Sequence, residues 1–298
     1  MTETNGAVPA NPRRLMLPAP YLFVLLWSAG FPVAKVALHA SSPFVLLELR
    51  YLCAAGAMAV LFAILRPALP RGARQWRDVA VVGVLVQVVY FGLTYLSLYS
   101  GASATVVALI VSLQPILVAV FAPAVVGEHV RVGQWCGLVL GLAGAMTVIL
   151  AGGGRTSLTL AGGALAAGAL AGIVAAMLYE RRFGVGHHPV SVNLIQYVLG
   201  AALCLPLVFL GEGHLEWTVP FAAALGYLVI GNSLVAVTLL LAMTRAGQVA
   251  RVASLFFFVP PMAAVIAWIV LGEAVTPAGW LGIAVASAGV SLATRRRA

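Results

Sequence analysis

The chain has 298 residues, 62% of them hydrophobic and 8% charged, with a formal net charge of +9 and a mean hydropathy of +1.06. Soluble domains run near about 45–50% apolar and about 25% charged residues, so a soluble enzyme, a nucleic-acid binder and a disordered protein are excluded. At about 20 apolar residues per membrane span, the length accommodates ten spans with short loops and no extramembrane domain.

Residues 1–18 are polar and contain Pro and Gly, and they read as a flexible tail. Apolar segments follow at 19–39, 43–65, 78–98, 102–125, 132–151, 158–179, 190–210, 219–241, 247–270 and 277–294. Arg13 and Arg14 precede the first segment, but that segment is too long for the core of a signal peptide, so it reads as an uncleaved helix. The three cysteines, Cys53, Cys136 and Cys204, all fall in apolar runs and read as small hydrophobes.

The distribution of Lys and Arg sets the orientation. With the N-terminus cytoplasmic, 14 of the 17 basic residues fall in inside tails and loops, Arg155 alone falls outside, and Lys35 and Arg50 lie within spans. Both termini are then cytoplasmic.

A shift of 145 residues aligns two stretches of the chain without gaps. Pro115 meets Pro260, Gly127-Glu128 meets Gly272-Glu273, Trp135 meets Trp280, and Gly137 and Gly144 meet Gly282 and Gly289, within 14 identities over 104–146. Each half, 19–151 and 158–294, holds five segments, an odd number, so the second half enters the membrane upside down. Inverted repeats are a transporter architecture, with like-folded halves rocking about a site near the midplane. The expected fold is an all-α membrane protein of ten transmembrane helices in two inverted five-helix repeats.

Trp27-x3-Phe31-x3-Lys35, then Pro43 and Arg50, then the paired Pro-x11-Gly-Glu stretches resemble the EamA domain of the drug/metabolite transporter superfamily. The resemblance covers about residues 19–294 and is specific for the fold rather than the substrate. It implies a multi-pass inner-membrane carrier, gated on two sides of a central cavity. Among relatives, the amino-acid exporters, including aromatic amino-acid exporters, are the most similar.

Several residues are candidates for chemistry. Charges inside spans face protein or a water-filled cavity. Lys35, the only lysine, Glu48 and Arg50 lie at similar depth in the first two spans. Pairing of Glu48 with one cation leaves a net positive charge, to attract a substrate carboxylate or to gate the outer mouth. The alternative is an ion-pair network that only orients helices, or snorkelling. Gln87, Tyr90, Thr94 and Ser97 fall within an arc of about 80° on an ideal helix, and Gln87 is equivalent to Asn232 across the repeat. Carboxamides both donate and accept, which suits a zwitterion; interhelical bonding is the other reading.

Pro115 and Pro260-Pro261 fall near the middle of equivalent spans, where proline kinks a helix and marks a hinge or site. Gln114 and Ser254 flank these prolines, and Trp27 and Phe257 offer rings for an aromatic substrate. Glu128 and Glu273 precede helices and read as complements of their dipoles. Ala and Gly at 161–172 read as close helix packing.

The chain contains no GxxxxGK loop, no HExxH motif and no paired buried carboxylates, so it is not read as an enzyme. No metal or cofactor is expected. Glu48 is the single deep acid, which favours facilitated diffusion or exchange over proton coupling. The expected partners are a small-molecule substrate and the bilayer, with the chain a monomer or weak homodimer. Carriers of sugars or drug-like compounds, and a lipid flippase or scramblase, are the alternatives.

Overall fold

The computed structural model describes residues 19–126, 132–151, 159–183, 187–211, 213–237, 239 and 258–294. The expected tail at 1–18 and the candidates Glu128, Ser254 and Phe257 lie outside the described residues. Every regular element among the described residues is helical, apart from one isolated bridge between Ser41 and Leu215. The elements are α1 (Ala19–Leu38), α2 (Pro43–Leu65), α3 (Ala73–Gly83), a π-helical segment (Val84–Tyr90), α4 (Phe91–Tyr99), α5 (Ala104–Val111), α6 (Gln114–Val126) and α7 (Val132–Ala151). Then come α8 (Leu160–Phe183), α9 (Pro189–Leu210), α10 (Val219–Gly226), a second π segment (Tyr227–Ala236), α11 (Val259–Leu271) and α12 (Pro277–Thr294).

Six helical stretches are long and apolar enough to cross a membrane: Pro20–Leu38, Pro43–Leu65, Ala73–Tyr99, Leu160–Phe183, Pro189–Leu210 and Val219–Ala236. Four shorter apolar helices lie at Ala104–Val118, Trp135–Val148, Val259–Leu271 and Pro277–Leu292. Large apolar side chains such as Ile64, Val139, Phe209, Ile269 and Leu281 are exposed on the outside of the bundle. That surface suits lipid, since a soluble protein hides such a belt. Cys53 and Cys136 are exposed as well, so only Cys204 packs as a small core hydrophobe.

Sequence-equivalent elements meet across the molecule. α7 and α12 cross antiparallel through their glycines: a Cβ on Gly144 would lie 2.5 Å from the Gly282 carbonyl oxygen, and one on Gly289 would lie 2.6 Å from the Gly137 carbonyl oxygen. Gly137 and Gly282 are one equivalent pair, and Gly144 and Gly289 the other. Each therefore touches the partner of the other, as a local two-fold relation between the two helices requires. Only glycine permits this approach, because any Cβ would strike backbone rather than a movable side chain.

α2 and α9 form a second equivalent pair. Their ends are tied at one end of the bundle by Ser42 N to the His214 carbonyl (2.9 Å), and at the opposite end by Ser191 Oγ to the Ala68 carbonyl (2.9 Å).

The π segments also correspond. A π turn widens the helix and leaves carbonyls out of the regular ladder. In each segment a tyrosine takes one of them: Tyr51 of α2 donates to the Gln87 carbonyl (2.6 Å), and Tyr197 of α9 to the Ser233 carbonyl (3.3 Å). The two tyrosine rings stack with centroids 6.1 Å apart. Tyr51 and Tyr197, like Gln87 and Ser233, are 146 residues apart, one off the repeat shift found in the sequence.

The small residues of α8 pack against the third helical stretch. Cβ atoms on Gly168 and Gly172 would meet Leu93 Cδ1 at 2.8 Å and Val89 Cγ1 at 2.7 Å. This is the packing role expected for 161–172.

Helical structure breaks at Ser112 and Leu113, and Pro115 sits in the first turn of the new helix α6. Pro260 and Pro261 likewise stand in the first turn of α11. Each stands where a first-turn residue needs no intrahelical N–H bond.

Candidate functional site

A small cavity opens between the equivalent halves. It is lined by Trp27, Gly30 and Phe31 of α1, Arg50 of α2, Tyr90, residues of α4 including Phe91, Thr94 and Tyr95, and Leu228 and Asn232 of the second π segment. Four of the sequence candidates for substrate contact, Trp27, Tyr90, Thr94 and Asn232, thus come together with Arg50. Gln87 and Gln114 are buried but are not among the lining residues. The β-carbon of Gln87 faces α9, where a Cβ on Gly200 would lie 3.0 Å from it. The wider π turn changes the angle per residue, so the ideal-helix arc does not carry Gln87 to the face of Tyr90 and Thr94.

Arg50 is the centre of the site. It is 2% exposed. Its Nε donates to Ser233 Oγ (3.0 Å), Nη1 to Tyr95 OH (2.7 Å) and Nη2 to Asn232 Oδ1 (3.3 Å). Its guanidinium lies over the Phe91 ring, 4.3 Å from the centroid. All three acceptors are neutral, and Arg50 makes no ion pair among the described residues. Tyr95 and Ser233 were not singled out in the sequence. They come from distant segments, and a hydroxyl in an apolar span carries no signal of which way it faces.

Thr94 adds a second unfilled group. Its side chain is buried, and Oγ1 has no hydrogen-bond partner. Ser97, one turn on, is instead satisfied by the Gly162 carbonyl (2.7 Å). Asn232 is wedged against α1, where a Cβ on Gly30 would lie 2.4 Å from its Nδ2.

The expected pairing of Glu48 with Lys35 or Arg50 is not found. Glu48 and Arg50 are two positions apart on one helix, and residues at that spacing do not face each other. Glu48 is buried, with Oε2 unpartnered. Lys35 reaches instead to Glu273 Oε1 (2.7 Å) and to the Ala102 carbonyl (2.9 Å). Glu273 also accepts from the backbone N–H groups of Ala104 (3.2 Å) and Thr105 (3.4 Å). It therefore serves the N-terminus of α5, not that of the helix following it in sequence.

A family model described as the EamA-like transporter family matches residues 18–150 and again residues 160–295. The chain belongs to the EamA-like transporter family. It is 27% identical over 256 residues to the uncharacterized transporter YvbV of Bacillus subtilis (strain 168), covering 85% of this chain and 83% of that one. It is 28% identical over 289 residues to a protein of Streptantibioticus cattleyicolor named "Probable terminal-alkyne amino-acid exporter", covering 92% of each. A solved crystal structure superposes with a TM-score of 0.67 at 22% identity, over 94% of this chain and 96% of that one, which shows a shared fold. The chain is a membrane transporter, and its relatives and family are transporters rather than enzymes.

Proposed function

We propose that this transporter exports small amphipathic metabolites, neutral or aromatic amino acids first among them, by alternating access through the Arg50 cavity. Ten helices cross the inner membrane as two inverted five-helix repeats, 19–151 and 158–294, with both termini cytoplasmic. The observation that carries the reading is a buried guanidinium, without an ion pair among the described residues, in a cavity walled by both halves. Rocking of one half against the other exposes such a site to each side in turn. The antiparallel glycine crossing of α7 and α12 supports the inverted relation. The Arg-rich inside loops support the orientation. The relative named as an amino-acid exporter supports the substrate class.

Arg50 holds the substrate carboxylate, Asn232 and Thr94 add hydrogen bonds, and Trp27 and Tyr90 contact the side chain. The helix starts at Pro115, Pro260 and Pro261 serve as hinges. No acid lines the cavity among the described residues, which fits facilitated diffusion or exchange. The test is counterflow in proteoliposomes preloaded with one unlabelled amino acid at a time, without any ion gradient. Saturable entry of the labelled form is expected for aromatic or branched amino acids, and its loss in Asn232→Ala. Absence of counterflow for every amino acid overturns the substrate assignment. Accumulation above equilibrium driven by a pH gradient overturns the uncoupled mechanism.

A further inference from the structure

We infer that the Arg50 cavity recognises one carboxylate and an apolar body and does not require an α-ammonium group. Apolar monocarboxylates then bind it at least as tightly as the amino acids with the same side chain. The inference rests on the reading of this cavity as the substrate site and sharpens its chemistry.

A guanidinium has five N–H donors. In Arg50, three go to Ser233, Tyr95 and Asn232, and two have no partner among the described residues. The three partners fix the plane of the group without neutralising it. Thr94 Oγ1, also buried in the cavity wall, is a further hydroxyl with no partner among the described residues. Two free N–H donors on a fixed guanidinium and the Thr94 hydroxyl of the same cavity wall suit the two oxygens of a carboxylate.

The cavity offers nothing comparable to a cation. None of its lining residues among those described is acidic. Glu48 projects from α2 away from Arg50, and Glu273 is committed to Lys35 and two backbone N–H groups. The Phe91 ring face, a site for a cation, is already occupied by Arg50. A monoanion cancels the one charge of the site. A zwitterion brings a second positive group beside Arg50 in surroundings of low dielectric, where like charges repel strongly. The rest of the wall, from Trp27, Phe31, Leu98 and Leu228, is apolar and suits a hydrocarbon or ring.

The test is isothermal titration calorimetry on the purified full-length chain in detergent. The aromatic set is hydrocinnamate, phenylalanine and phenethylamine, which differ only in the carboxylate and the amine. The branched set is 4-methylpentanoate, leucine and isoamylamine. Within at least one set the carboxylate is expected to bind as tightly as the amino acid or tighter. It should also bind at least about tenfold tighter than the amine, the usual scale of a lost charge-assisted contact. Arg50→Gln is expected to abolish binding of the carboxylate. Thr94→Val leaves the Arg50 contacts in place and is expected to weaken it severalfold, so it decides the matter if Arg50→Gln does not fold.

Binding of the amino acids without the matching carboxylates in both sets overturns the inference. So does equal binding of the amine, or the absence of binding by either carboxylate. Counterflow of labelled phenylalanine and leucine, run in parallel, tests transport separately. The expected binding order without counterflow removes the amino-acid transport reading and leaves the carboxylate site. Counterflow with the reverse order does the opposite.

Discussion

The contact between Lys35 and Glu273 joins α1 of the first half to the turn between α11 and α12 of the second. It lies one helical turn beyond Phe31 of the cavity wall, at the end proposed to face outward. If it closes that end, removing it shifts the carrier toward an outward-open state. At 2.7 Å, with an effective dielectric of about 20, the bare Coulomb attraction is about 6 kcal/mol. Desolvation offsets much of this, and the side chains keep 17% and 10% of their exposure. Fully buried pairs broken on one side lose about 3–5 kcal/mol and exposed ones about 0–1 kcal/mol, so about 2 kcal/mol is the expected coupling. That corresponds to a population shift of about 30-fold.

Lys35→Met should cost less stability than Glu273→Gln. Glu273 would retain the Ala104 and Thr105 N–H groups, whereas the Lys35 ammonium would retain only the Ala102 carbonyl. The assay places a cysteine at Leu98, a buried cavity residue, in a background lacking Cys53, Cys136 and Cys204. A membrane-impermeant thiol reagent then probes it from outside. Labelling should accelerate by about ten- to thirtyfold in either single variant, and no further in the double variant. Unchanged labelling, or single effects that simply multiply in the double variant, would refute the closure argument.

Three further substitutions test the geometry. Gly144→Leu places a Cβ 2.4 Å from the Ala286 nitrogen and 2.5 Å from the Gly282 carbonyl oxygen. Its melting temperature should fall by the equivalent of about 3 kcal/mol or more, whereas Gly56→Ala, with nothing within 4 Å, should leave it unchanged or raise it. Tyr95→Phe removes the oxygen 2.7 Å from Arg50 Nη1. Leaving that donor unpaired should cost about 1–3 kcal/mol in denaturant or thermal unfolding, with no matching loss when Tyr99, an exposed neighbour, is changed to Phe. Gly30→Ala drives a methyl into the Asn232 amide. Because that group can rotate, ligand affinity should drop severalfold while the melting temperature stays close to that of the parent chain.

The sequence by itself showed that the chain lives in a membrane, where most of its described helices lie, and that two stretches of it repeat. Each helix in a bilayer must satisfy its own backbone hydrogen bonds, so runs of apolar residues mark the elements without knowledge of their neighbours. The same logic singled out Lys35 and Arg50, because a charge in a span needs a reason.

The partners of those charges were decided only by the tertiary structure. Lys35 meets an acid 238 residues away, and Arg50 binds oxygens 45, 182 and 183 residues away. Which way a side chain faces depends on the rotation of its helix. Two π segments and a proline-linked break reset that rotation here, bringing Asn232 into the cavity and directing Gln87 toward α9. Facing is a property of packed pairs of helices, and no run of residues carries it alone.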